Sequence, residues 1–142
     1  AVTKAGEALA KERQAANLSF TQEYREADGA DLFLASGSLQ YVEEPGLATM
    51  LASLKKKPAH VIVNKLPVHD FESFVTLQNI GTAFCPYRIF ARDVFVNDVV
   101  ALGYRLVDSW RTTESCFVPY HPEKSITQYS GFYFTTSSLP AE

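Results

Sequence analysis

Between residues 64 and 90 the chain gathers Asn64, the adjacent pair His69-Asp70, the amides Gln78 and Asn79, Cys85, Tyr87 and Arg88 in one apolar-rich stretch. A histidine oriented by a carboxylate can take a proton from an attacking atom near neutral pH, which makes His69 the first candidate for a general base and Asp70 its partner. Adjacent residues point different ways, so the same pair equally suits polar punctuation in a surface turn. Gln78 and Asn79 have hydrogen-bonding capacity but no charge: they would orient a substrate, or satisfy backbone groups in a long irregular connection. Arg88 offers a planar fork to an acidic substrate or to Asp93, with Tyr87 as an aromatic wall beside Pro86.

Cys85 would need a depressed pKa and a nearby base to act as a nucleophile, and a buried structural thiol is the plainer reading. His121, in "VPYHPEK", either enters a substrate site from a late loop or faces solvent. The three histidines and two cysteines form neither an HExxH nor a CxxC spacing, so no metal is assigned. No G-x-S-x-G elbow supports a serine hydrolase.

The composition suits one α/β domain spanning residues 1–142, with 46% hydrophobic and 20% charged residues. At this length folding buries about two-thirds of the unfolded chain's surface. A net charge of -3 and a pI near 5.6 give no general attraction for nucleic acid or an anionic membrane, and neither is expected as a partner. The lysine run 55–57 reads as a helix C-terminus meeting its own dipole. No run approaches the roughly 18 apolar residues of a membrane span. Cys85 and Cys116 make no disulfide framework, so reduced thiols in a cytoplasmic protein are expected.

The elements that must position these residues follow from pattern. The Ala-rich segment 1–16 favours helix, "LSFTQ" (18–22) a short strand, and "DLFLAS" (31–36) a strand buried on both faces. Glu43, Glu44 and Pro45 signal a helix start, and Leu47, Met50, Leu51 and Leu54 mark its apolar face. "HVIVN" (60–64) is a second buried-strand pattern, and strand, helix, strand at this spacing predicts a parallel crossover. Phe95, Val99 and Leu102 define another helix, stopped by Gly103, before strands at "YRLVDSW" and "QYSGFYFTT".

Taken together, "DLFLASGSLQYVEEP", "HVIVNKLPVHD", "FVTLQNIGTAFCPYRIF" and "ALGYRLVDSW" resemble the class I S-adenosylmethionine-dependent methyltransferase family, over roughly Val2 to Phe134. The resemblance implies a partial Rossmann-like α/β fold: a mostly parallel sheet with helices on both faces and an antiparallel last strand inserted between the fifth and sixth. "LSFTQ" would be the third strand, "DLFLAS" the fourth, "HVIVN" the fifth, and the two late segments the sixth and seventh. It also implies S-adenosylmethionine as cofactor, with Ser36, Gly37 and Ser38 lining its pocket. Asn64, Gln78, Asn79, Tyr87, Arg88 and His121 would face a small-molecule methyl acceptor, and His69 with Asp70 would remove its proton.

The first two strands of that fold are absent, and with them the glycine-rich turn and the acid that meets the cofactor ribose. The expectation is therefore the C-terminal part of a longer enzyme, inactive alone, or a noncatalytic module that has lost donor binding. Without its neighbour, "DLFLAS" would present a naked apolar edge. Either "LSFTQ" moves beside it, or two copies of the chain meet edge to edge as a homodimer.

Overall fold

The computed structural model describes residues 2–43 and 45–136. Two short apolar segments set its frame: β1 (Leu32–Ser36) and β2 (His60–Leu66) run parallel in the register Leu32↔His60 to Ser36↔Asn64. Helix α2 (Leu47–Ser53) connects them, as the spacing predicts. The last strand, β7 (Ser130–Thr135), inserts antiparallel between β2 and β6 (Arg105–Arg111), giving the order β1-β2-β7-β6. Three strands share one direction and β7 opposes them, so this is the expected partial Rossmann-like α/β fold, although the helices in its core cover one face of the sheet and not both.

Strand alternation explains the core. Phe33, Ala35, Val61, Val63, Phe132 and Phe134 meet Leu47 and Leu51 of α2 and Phe95 and Val99 of α3 (Arg92–Val100). The two helices touch each other over this face. Gly103, at φ +92°, ends the turn after α3. Tyr104 then donates its hydroxyl to the Pro58 carbonyl (2.6 Å), tying the start of β6 to the approach of β2.

Four expectations are corrected. "LSFTQ" forms no strand: residues 18–22 are irregular and exposed and pair with no described strand, and Phe20 folds back against Gly6 of α1 (Val2–Glu12). It does not move beside β1. β1 is not buried on both faces either, since Leu34 is 63% exposed and no described strand pairs with its outer edge. The lysine run lies beyond α2, which ends when Leu54 turns extended (ψ 138°), and Lys57 Nζ instead donates to the Leu102 carbonyl (3.2 Å) past α3. The expected helix-start signal from Glu44 lies outside the described residues.

The fourth correction concerns the stretch after Phe74, which is a hairpin and not an irregular connection. β4 (Phe74–Asn79) pairs antiparallel with β5 (Phe84–Ala91), and β3 (Val68–His69) adds parallel to the end of β5. Asn79 and Gly81 build the turn: the Asn79 Oδ1 accepts from the Gly81 amide (2.8 Å), and Gly81 sits at φ +92°. Pro86 is tolerated because β3 reaches only Phe90 and Ala91, leaving β5 a neighbour on one side at residue 86.

Candidate functional site

Because β1, β2 and β6 share a direction, Ser36, Leu66 and Arg111 end at one rim of the sheet, where β7 begins. The polar stretch leaves from that rim through Pro67 into β3. Open α/β sheets bind ligands outside the carboxyl ends of their strands, and Ser36, Asn64, His69 and Asp70 stand at or just past that rim.

A polar row crosses the sheet face opposite α2 and α3. Trp110 donates Nε1–H to Asn64 Oδ1 (2.9 Å), and Asn64 Nδ2 donates to Ser36 Oγ (3.3 Å). The indole reaches Asn64 by lying over Gly131, where an added Cβ would sit 2.0 Å from a ring carbon. Gly37 turns the chain after β1 at φ +61° and donates its amide to the Asn64 carbonyl (2.9 Å). Ser38 precedes a 3-10 turn (Leu39–Tyr41) in which Gln40 is 5% exposed, with Oε1 lacking a partner among the described residues. Lys65, at φ 55° in a β-bulge, pairs with Glu114 (2.6 Å), whose carboxyl is held down to about 2 by that ammonium.

A second group surrounds a cavity of about 210 Å³ whose lining includes His69, Asp70, Arg92, Arg111, Glu123 and Gln128. The His69 ring is engaged at both nitrogens. Nδ1 accepts from the Phe71 and Glu72 amides (each 3.3 Å), which leaves the ring proton on Nε2, 3.3 Å from the Glu123 carbonyl. Asp70 is exposed and meets Arg92 Nε at 3.4 Å. Arg92 is fixed by Ser130 Oγ (3.1 Å) and by its position over the Phe132 ring (5.8 Å). His121 is exposed and pairs with Glu123 Oε1 (3.1 Å); backbone hydrogen bonding at Glu123, then His121, holds that carboxyl below its usual range.

The hairpin residues divide by face. Gln78 points inward and accepts from the Tyr41 hydroxyl, while Asn79 is used in its own turn. Tyr87 is 1% exposed and belongs to a small core with Ile89, Ile126 and Tyr129. Its hydroxyl donates to that of Tyr129 (2.6 Å), and burial raises both pKa values, Tyr129 to about 12. Burial also pushes up the Cys116 thiol, which lies on the same loop across from Ile126. Arg88 lines a separate cavity of about 290 Å³ with Phe90, Phe95 and Asp98. The structure thus brings His69 and Asp70 together with Arg92, places Ser36 with Asn64, and sets Tyr87 and Arg88 apart from both. Trp110, Arg92 and Gln40 escaped the sequence reading; the Trp110/Gly131 pairing across two strands was the signal that only register could expose.

The buried tyrosine pair carries a pH expectation. Both hydroxyls are protonated in the folded chain and ionise near 10 once unfolded, so the folded state holds more protons between about 10 and 12 and loses stability as pH rises through that window. Urea midpoints measured from pH 8 upward are expected to fall above about pH 10, and the Tyr87→Phe/Tyr129→Phe variant to fall less steeply. Equal slopes would mean that the pair is solvated.

The strand order, with its single antiparallel member inserted second from the β6 edge, is that of a partial Rossmann-like fold. Among solved structures, the chain is similar to the Burkholderia thailandensis 1,6-didemethyltoxoflavin-N1-methyltransferase, determined with bound 1,6-didemethyltoxoflavin and S-adenosylhomocysteine. The match has 19% identity and a TM-score of 0.57, and it covers 93% of this chain and 56% of that one. The chain therefore spans little more than half the length of that enzyme. No family model matches the sequence, and no curated protein does.

Proposed function

We propose that the chain is the acceptor-side, C-terminal portion of an S-adenosylmethionine-dependent methyltransferase acting on a small molecule. The observation that supports this most is the order β1-β2-β7-β6, with its polar residues collected at the carboxyl rim. The solved neighbour, crystallised with S-adenosylhomocysteine, supports it further. When bound, the donor supplies an electrophilic methyl group on a sulfonium. The residues present fit one wall of such a site: Ser36, Gly37 and Ser38 form the bend, and Gln40 Oε1, without a partner among the described residues, is an acceptor suited to a donor's N–H or hydroxyl. The ribose-binding acid and glycine-rich turn would come from residues preceding Ala1.

On the acceptor side, His69 in its Nε2–H tautomer orients the acceptor by donation once the acceptor displaces the Glu123 carbonyl from Nε2–H. Asp70, exposed and held by Arg92, takes the proton that leaves as the methyl arrives. Gln128 and Arg111 line the same cavity, and His121 pairs with Glu123 of its lining. The engagement of both His69 nitrogens also favours a second reading, a noncatalytic methyltransferase-like module. Calorimetry with S-adenosylhomocysteine separates the two. The chain joined to its upstream coding sequence is expected to bind with a Kd in the micromolar range, about -8 kcal/mol, and the isolated chain not to bind. An upstream sequence lacking a glycine-rich strand-turn-helix, or a joined protein that does not bind, would refute the enzyme.

A further inference from the structure

The hairpin presents a surface that neither the donor wall nor the acceptor cavity uses. From Ser73 to Tyr87 the sequence contains no charged residue. Register places Val75, Leu77, Phe84 and Pro86 on the face turned away from the Tyr87 core. Val75 is 61% exposed, Leu77 65% and Phe84 69%, with Ile80 at the turn 56% exposed. β4 is also the edge of its sheet, so along six residues one set of its backbone groups faces outward without a strand among the described residues.

Edges of this kind template pairing with another strand, and proteins normally blunt them with charge, proline or a bulge. The same chain does so elsewhere: β6, the outer strand of the larger sheet, carries Arg105, Asp108 and Arg111 and a bulge between Leu106 and Asp108. β4 has none of these devices. Its sequence is also compatible with itself. In an antiparallel pairing centred on Thr76, residues whose numbers differ evenly fall on one face, so Val75 opposes Leu77 and Thr76 opposes Thr76. No like charges meet, and β-branched and threonine cross-strand pairs of this type are favourable.

We propose that β4 is the seam of a symmetric dimer, in which two copies of the chain join their hairpins antiparallel about a two-fold axis at Thr76. The occupant is a second copy because the strand is uncharged and matched to itself in register; an isologous contact closes after two chains and leaves no β4 edge open. The two hairpin sheets become one, with the order β3-β5-β4-β4-β5-β3. An interface built from one strand pair and a few apolar side chains belongs at the small end of specific contacts, so the dissociation constant is expected on the order of ten micromolar.

Sedimentation equilibrium across that concentration range tests the proposal on the wild-type chain and three variants. Leu77→Lys places two positive charges near the axis and is expected to weaken association by about tenfold or more. Adding Val75→Glu sets a carboxylate opposite the ammonium introduced at position 77 of the other copy and is expected to restore most of the loss, which only the antiparallel Thr76-centred register does. Leu34→Lys, on the open edge strand β1, is expected to leave association unchanged. Because Leu34, Val75 and Leu77 are all exposed, the far-UV spectra should match the wild type. A wild-type chain that stays monomeric, a dimer indifferent to Leu77→Lys, a double variant without recovery, or loss of the dimer through Leu34→Lys would each overturn the proposal.

Discussion

Replacing Phe134 by alanine is expected to lower the unfolding free energy by about 3–5 kcal/mol, the range for emptying a fully buried aromatic site. Phe134 is 0% exposed in the middle of β7, with Val61 opposite it on β2 and Leu106 on β6, so its ring lies between the two strands that must accept an antiparallel neighbour. It also packs 6.1 Å from the Phe132 ring, which reaches Phe95 of α3 at 5.7 Å. The cavity cannot be filled by local collapse without moving a helix. Since a domain has only about 5–15 kcal/mol in hand, the variant should be partly unfolded at room temperature or melt far below the parent. Urea titration followed by circular dichroism checks this, with Phe84→Ala at the exposed hairpin tip as a near-neutral control. A loss under about 1 kcal/mol would mean that β7 is not inserted where the fold requires it.

Gly131→Ala comes second, and its cause is steric. The new methyl would stand 2.0 Å from Trp110 Cε2 and 2.3 Å from Nε1, far inside contact distance. The indole must swing away from β7 and surrender its hydrogen bond to Asn64, leaving that amide to find another partner. Overpacking of this kind costs about 1–3 kcal/mol, and the lost hydrogen bond adds about 1. The diagnostic measurement is a double-mutant cycle. With Trp110→Ala already in place, Gly131→Ala should cost little or nothing, so the two changes are strongly non-additive. Additive costs would show that the glycine is needed for backbone reasons unrelated to the indole.

How much of this could be read from residues alone depended on whether a pattern was local. The β1-α2-β2 crossover was legible because short apolar runs, Pro45 and the spacing of Leu47 and Leu51 all point one way. α3 was legible from Phe95, Val99 and the glycine stop at Gly103. The hairpin was missed because Pro86 argues against a strand, and only the shortness of β3 explains why it is tolerated. "LSFTQ" has strand composition but no partner, and composition does not supply one. At the candidate site, His69 and Asp70 follow the carboxyl end of β2 as their order in the chain implies, yet nothing in "VHDFE" reveals that two downstream amides occupy Nδ1. Tyr87 looked like a binding wall, and its burial follows from a hydroxyl partner 42 positions away.

The chain's one tryptophan lies across Gly131, half-covered, on the sheet face that α2 and α3 leave alone. Its emission is consequently a built-in gauge of that surface. Any segment or small molecule that settles there and dries the indole should move the fluorescence toward the blue, whereas events at the hairpin seam or around α3 should pass unseen. The protein thus carries its own optical reporter of whatever settles on that face.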